Sequence, residues 1–469
     1  MIDRRNLLRG ALLGAGASMF SSKVLASAGK ALGIAGLPPT NHQLLFVFQR
    51  GGNDGVNTLI PMRDLTYPQA RPTLKITNGI QLPGIPYSRL NPNLERLVQI
   101  DQQTRLAMIH QVGDPSMSRS HFTAMDMFEK GLLPTPPPTQ AALAQATGFV
   151  PKMLAQAGVA PFDSNTLPAA LSISGLMQTM FRAGTGDQVS AHVRDLSKIG
   201  APAIMQAVGV DGVSLQHGLD HAAVPPTNLD EQLGYELAFG HGTDAALQGL
   251  GFTHAFASTG RFPFDASELA TAAAATGSTV VPTFDPKGAA LMAAAEQAVF
   301  TLVHSPSTRV VGIEMGGWDT HANQAAEHPN LLRYLGWALR DMNDEILANG
   351  LGNRITIVVV TEFGRTALEN GANPPGTDHG AGGAWFVVGD NIVSGTHNVH
   401  AAGGVGAREF GAPWTDLTTL TDDAVPVATG LRDVLAELML KRMGVPIGNL
   451  QDVLESYPAS TASFLDFLV

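Results

Sequence analysis

The sequence predicts an α/β protein, a three-layer α/β/α sandwich built on a mostly parallel sheet. Six continuous apolar runs of strand length recur along the chain, and runs without polar alternation suit strands buried on both faces. Amphipathic helical patterns lie between them, and this alternation builds a sheet covered by helices on either side. Hydrophobic residues make up 44% of the 469 positions and charged residues only 15%, a balance that supports one large core rather than a disordered chain.

In chain order, the first 28 residues read as an export leader: a basic start with Arg4 and Arg5, a short Gly- and Ala-rich apolar middle, and Ala26-Ser27-Ala28 as a small-residue cleavage site. The middle is too short to cross a bilayer core of about 30 Å, and the arginine pair favours the twin-arginine translocase as the export partner. A periplasmic or otherwise exported protein with no stable membrane span after cleavage is expected. The full chain carries a net charge of −11. Losing the leader removes four basic residues and only Asp3 among acids, so nucleic acid is excluded as a partner on charge. There is no cysteine, hence no disulfide and no thiolate ligand, and any metal must be held by Asp, Glu and His.

The strands are expected at Leu44–Phe48, Arg105–His110, Pro168–Ser174, Arg309–Met315, Arg354–Thr361 and Ala384–Gly389. Helices are expected in "NPNLERLVQIDQQ", "SHFTAMDMFEKG", "ATGFVPKMLAQAG", "HPNLLRYLGWALRDMNDEILANG" and "GLRDVLAELMLKRMG". In the long one, Leu331, Leu332, Leu335, Ala338, Leu339, Met342 and Ile346 share a face, as a helix on a sheet requires. Residues 40–469 read as one domain. The stretch from about 190 to 298, rich in Ala, Gly, Thr and His and weakly periodic, reads as a helical insertion able to cap the site.

In open α/β sheets ligands bind beyond the carboxyl ends of the strands. "GGNDG" follows the first strand and presents Asp54 at a glycine-rich turn, where it either ligates an ion or does plain turn work. Ser118 and Ser120 precede a helix, each a nucleophile or an N-cap. "GGWDTH" offers Asp319 and His321, which in an extended segment point the same way and can reach one cation; an N-cap is the alternative for Asp319. "TEFGRT" ends a very apolar strand with Glu362 and Arg365, a functional pair or a structural ion pair. "GTDHGAGG" sets Asp378 and His379 among glycines just before the last run, either a loop suited to presenting an imidazole or a solvated turn. His110 and His121 also lie near this edge.

These segments, with the twin-arginine start, "FVFQRGGNDGVNTLIP" and "SRSHFTAMDMFEKG", resemble in order the exported bacterial family known as domain of unknown function 1501, over nearly the whole mature chain. More distantly the chain resembles the alkaline phosphatase and sulfatase superfamily. That resemblance implies an alkaline phosphatase-like fold with a metal site at the strand ends. It matches Asp54 to the acid after the first strand, Ser120 to the nucleophile opening a helix, Asp319 and His321 to an acid and imidazole pair, and His379 to the final histidine. The superfamily spaces that pair as Asp-x-x-x-His, which makes His328 a rival to His321. Where the superfamily has Asp-His this chain has Glu362-Phe363, so one ligand of a two-metal site is missing. The resulting expectation is an exported hydrolase or transferase of small anionic phosphate or sulfate esters. A divalent ion (zinc, calcium, magnesium or manganese) is held by Asp54, Asp319, His321, Glu362 and His379, with Ser120 or a water as nucleophile and Arg365 clamping the anion. The alternative is a catalytically silent scaffold acting as an envelope binding or assembly protein.

Overall fold

A computed structural model describes residues 41–132, 138–139, 146–159, 168–183, 189–193, 284–397, 408–410, 417, 423–458 and 464–469. The leader expected at residues 1–28 lies outside them, as does residues 194–283 of the expected insertion. Twelve strands are described: β1 (Gln43–Gln49), β2 (Leu59–Pro61), β3 (Ser88–Leu90), β4 (Leu106–Gly113), β5 (Ala170–Ile173), β6 (Ser190–Val193), β7 (Val310–Met315), β8 (Ile355–Val360), β9 (Gly383–Val388), β10 (Gly395–His397), β11 (Glu409–Phe410) and β12 (Thr429–Gly430). All six predicted strands are present. The main sheet runs β11-β10-β4-β9-β8-β1-β7-β5-β6, with β12 beside β4, while β2 and β3 form a separate antiparallel pair.

The two faces of the sheet are legible in β1, all seven of whose residues are buried. Leu45 and Val47 point into one apolar cluster; Leu44, Phe46 and Phe48 point into the other. Alternation within a strand apolar throughout is what two covered faces demand. Helices α3 (Pro286–His304) and α4 (Gln324–Ala348) cover the first face, with Leu291, Met292, Val299, Leu331, Leu335, Leu339 and Ile346 in its cluster. The second face is covered by α1 (His121–Lys130), α2 (Phe149–Gln156) and α5 (Leu431–Leu438), through Phe128, Phe149, Met153, Val434 and Leu435. Each fully buried Leu or Phe adds about 1.5–3 kcal/mol, so both faces hold the sheet firmly. The protein is thus the three-layer sandwich predicted.

Both ends of the expected insertion belong to this framework: Ser190–Val193 is an edge strand parallel to β5, and Pro286 begins α3, where Asp285 accepts from Gly288 N at 2.9 Å as an N-cap.

Strand β9 is antiparallel to both neighbours, β4 and β8, whereas the other pairings in the main sheet are parallel. Its start therefore lies at the edge where β1, β4, β7 and β8 end. Residues before β9 and residues after those four strands meet there.

Candidate metal centre

Four side chains converge at this edge: His121, the first residue of α1 after β4; Asp319 and His321, after β7; and His379, before β9. Asp319 Oδ1 lies 3.2 Å from His121 Nε2, 3.0 Å from His321 Nε2 and 3.2 Å from His379 Nε2. His321 Nε2 and His379 Nε2 are 2.9 Å apart. His121, Asp319 and His379 each offer a ligand atom, all within 4.8 Å of one another. The backbone makes this closeness possible at Gly51, where φ is +120° and a Cβ would stand 2.5 Å from Asp319 N.

The opposite nitrogen of each ring is already engaged. His121 Nδ1 meets Glu362 Oε1 at 2.7 Å, His321 Nδ1 meets Asp378 Oδ1 at 2.8 Å, and His379 Nδ1 donates to Arg119 O at 2.6 Å. Carbonyl and carboxylate oxygens only accept, so a neutral ring carries its proton on Nδ1 and turns its Nε2 lone pair inward. Three lone pairs then lie around one carboxylate oxygen. His121 Nε2 is buried and makes no hydrogen bond among the described residues, although Asp319 Oδ1 lies close by. The Arg365 guanidinium already lies beside this set, bonded to Asp319 Oδ1 and with Nη1 3.5 Å from His321 Nε2; the lone pairs that remain suit a further cation, either a proton on one ring or a metal ion. Imidazoles backed at Nδ1 by a carboxylate or carbonyl are the usual arrangement around a metal.

Burial disfavours the charged form of His121, yet the Glu362 carboxylate, with help from Asp319, outweighs it and raises the pKa above the ordinary histidine value. Burial lowers the pKa of His379, assisted by the charges of His121 and Arg365. Burial also opposes ionisation of Asp319, but the Arg365 hydrogen bond and charge dominate and hold its carboxyl well below the carboxylate range. Asp319 is thus held ionised beside Arg365, and the carboxylates around His121 favour a positive charge on or next to that ring.

Several expected roles are corrected. Asp54 does not face the centre: its carboxylate is wholly buried, paired with Arg71 at 2.7 and 3.1 Å, bonded by Gln324 Nε2 and capping Asn57 N at 3.3 Å. Glu362 stands behind His121, accepting from its Nδ1 and from Gly51 N at 2.9 Å, and is not positioned as a ligand. Arg365 is no anion clamp. It is fully buried and its donors serve Gly52 O, Thr377 O, Gly51 O, Trp318 O and Asp319 Oδ1, with Nη1 also 3.5 Å from His321 Nε2. His328 is turned away, its Nε2 against Asn53 Oδ1 at 2.9 Å. Phe363 packs against the rings of His121 and His379, with centroids at 4.8 and 5.2 Å, and so takes up space where a second ligand was absent. Asp319 is not an N-cap, since Asn323 occupies that position of α4.

Of the predicted ligands, the structure brings Asp319, His321 and His379 together. His121 joins them; the motifs place it only near the edge, and its position directly after Ser120 at a helix start is the signal available. Ser120 is the N-cap residue of α1, exposed, and its side chain makes no capping bond. Ser118 Oγ accepts from Ser120 N at 3.1 Å. Ser120 therefore sits between Arg119, whose carbonyl holds His379, and His121.

The fold and centre define a class: an α/β sandwich with a histidine-rich candidate metal centre at the carboxyl edge of its sheet. Residues 265–409 match the model of a family described as "Protein of unknown function (DUF1501)", the resemblance expected from the motifs. No curated protein matches the chain. Among solved structures, Ps i-CgsB in complex with k-i-k-neocarrahexaose aligns at 9% identity and a TM-score of 0.34, over 78% of this chain and 69% of that one. A protein in the alkaline phosphatase superfamily from Vibrio parahaemolyticus aligns at 10% identity and 0.32, over 76% and 63%. Alkaline phosphatase from the Antarctic bacterium TAB5 aligns at 10% identity and 0.25, over 76% and 93%. At these scores the fold assignment stands on the sheet's own topology.

Proposed function

We propose that the chain is a metal-dependent hydrolase or transferase of phosphate or sulfate esters, exported through its twin-arginine leader. The observation that carries this is the convergence of three imidazole Nε2 atoms on Asp319 Oδ1, with every Nδ1 already bonded. His121, Asp319, His321 and His379 hold a single ion. Three nitrogens and one oxygen suit zinc or a neighbouring borderline ion, not calcium or magnesium, which take oxygen donors. Among the described residues a second ion is not provided for, because Asp54 is committed to Arg71 and Phe363 offers no donor.

An ion held there would supply Lewis-acid polarisation of an ester oxygen. The chain's own residues do the rest. Glu362, Asp378 and the Arg119 carbonyl fix the ring planes, and Arg365 fixes Asp319 while offsetting its charge. Ser120, exposed at the start of a ten-residue helix and adjacent to His121, presents its hydroxyl where the positive end of the helix dipole favours an alkoxide. No helix of the described residues is long and apolar enough to cross a membrane.

The test is elemental analysis of the mature protein, wild type and His121→Ala, followed by turnover of aryl phosphates, phosphodiesters and aryl sulfates. One equivalent of zinc-class ion in the wild type, lost in the variant together with turnover, is the expected result. A wild type that takes up no ion from zinc-containing buffer ends the proposal. Full turnover by Ser120→Ala would remove the serine and leave water as the nucleophile.

A further inference from the structure

We infer that Asn370 is the positioning residue that aims His321 at the ion, an inference that rests on the metal reading above. Asn370 belongs to none of the strand-end motifs and ligates nothing. Its Nδ2 donates to His321 O at 2.8 Å and to Asp378 Oδ1 at 3.1 Å. Asp378 Oδ1 is the same atom that accepts from His321 Nδ1 at 2.8 Å. One amide thus holds His321 twice, at its peptide and through the carboxylate behind its ring.

That double hold matters because of where His321 stands. Its side chain is 42% exposed and that of Asp378 58%, whereas His121 and His379 are at 18% and 25%. The His121 and His379 rings also pack on Phe363, whereas the ring contact recorded for His321 is with His379 alone among the described residues, at 4.6 Å. The plane of an exposed imidazole is weakly fixed by packing, since the torsion at its ring is broad. Hydrogen bonds must therefore set it, and the Asn370–Asp378 pair supplies them.

A competing account is that Asn370 merely closes its own turn. The turn uses the other end of the amide: Oδ1 accepts from Ala372 N and from Gly376 N, both at 3.1 Å. Asparagine turns of this kind need only the oxygen. Donation from Nδ2 to His321 and Asp378 is surplus to the turn and is spent on the centre. The two roles separate cleanly, because Asn370→Asp keeps an acceptor for the turn while removing the donor and setting a second carboxylate against Asp378.

Cobalt(II) titration of the full mature chain, stripped with chelator, reads the ion directly through its visible absorption. Asn370→Asp and Asn370→Ala are expected to weaken cobalt binding by about 10- to 100-fold, the usual cost of losing an outer partner of a ligand, and to shift the absorption bands. In a His321→Ala background the same substitutions should change affinity by less than about twofold, because coupled residues share one loss. Asn370→Asp indistinguishable from a cobalt-binding wild type overturns this inference alone. An undiminished loss in the His321→Ala background also overturns it, showing that Asn370 acts through the fold. A wild type that binds no cobalt overturns the metal reading and this inference together.

Discussion

Substituting Asp54 by Asn separates a ligand from a structural anion more sharply than any other single change. Asp54 and Arg71 are both wholly buried, with Nη1 and Oδ2 2.7 Å apart. Two unit charges at that distance attract by about 6 kcal/mol at an effective dielectric constant near 20, before desolvation offsets much of it. What remains after removing one partner is the penalty of an uncompensated buried charge, about 3–5 kcal/mol. Arg71 keeps its bonds to Ala367 O and to Thr366 O at 2.8 Å, but its fork then faces an amide that returns no charge. Urea unfolding of the mature protein, followed by tryptophan fluorescence, measures this; Trp318, Trp337 and Trp385 are all buried. The midpoint should fall by the equivalent of that penalty with the m-value unchanged. Folded Asp54→Asn should retain its ion, because no atom of Asp54 reaches the centre. An unchanged midpoint with loss of the ion would refute the assignment. Burial opposes ionisation of Asp54 but Arg71 prevails and depresses its folded pKa below the ordinary 3.8, so this stabilisation is complete above about pH 4 and is lost as pH falls through the folded value.

Two further outcomes can be checked. His110, His328 and His397 are buried, and burial lowers their pKa values to about 3, 4 and 4 from 6.5. The unfolded chain protonates them first, so stability present above pH 6.5 should decline between pH 6.5 and 4, by up to about 1.4 kcal/mol per pH unit for each; a flat unfolding free energy across that window would contradict their neutral burial. At Gly376 a Cβ would stand 2.2 Å from Thr320 O and 2.4 Å from His321 C. Gly376→Ala should therefore cost about 1–3 kcal/mol in a denaturant titration and weaken ion binding, and wild-type values for both would contradict the close packing of those loops.

The framework was legible because burial on both faces writes itself as an apolar run, and each of the six runs is a strand. The meeting edge was legible too, because polar residues cluster immediately beyond the runs. Roles within the edge were harder to read. Asp54 looks like a ligand in "GGNDG" because its partner, Arg71, stands 17 positions further on in a segment with no pattern linking the two. Arg365 looks like an anion clamp because its acceptors are mostly backbone carbonyls, which leave no trace in side-chain identity. Glu362 was assigned to the right corner and the wrong distance: whether a carboxylate touches an ion or the ring behind it depends on side-chain direction alone. His121 sits eight residues past the end of β4, inside a helical pattern, where one imidazole attracts no notice. The reversal of β9 was hidden because the 22 residues between β8 and β9 are long enough for a crossover; only their lack of a helix in the structure decides it.

That reversed strand gives the centre a mechanical character. His121, Asp319 and His321 ride on chain leaving the sheet, whereas His379 rides on chain entering it. Sliding β9 lengthwise past β4 or β8 would carry His379 out of line with the other donors, so an ion gripped by all four would act as a latch against shear between neighbours that run in opposite directions.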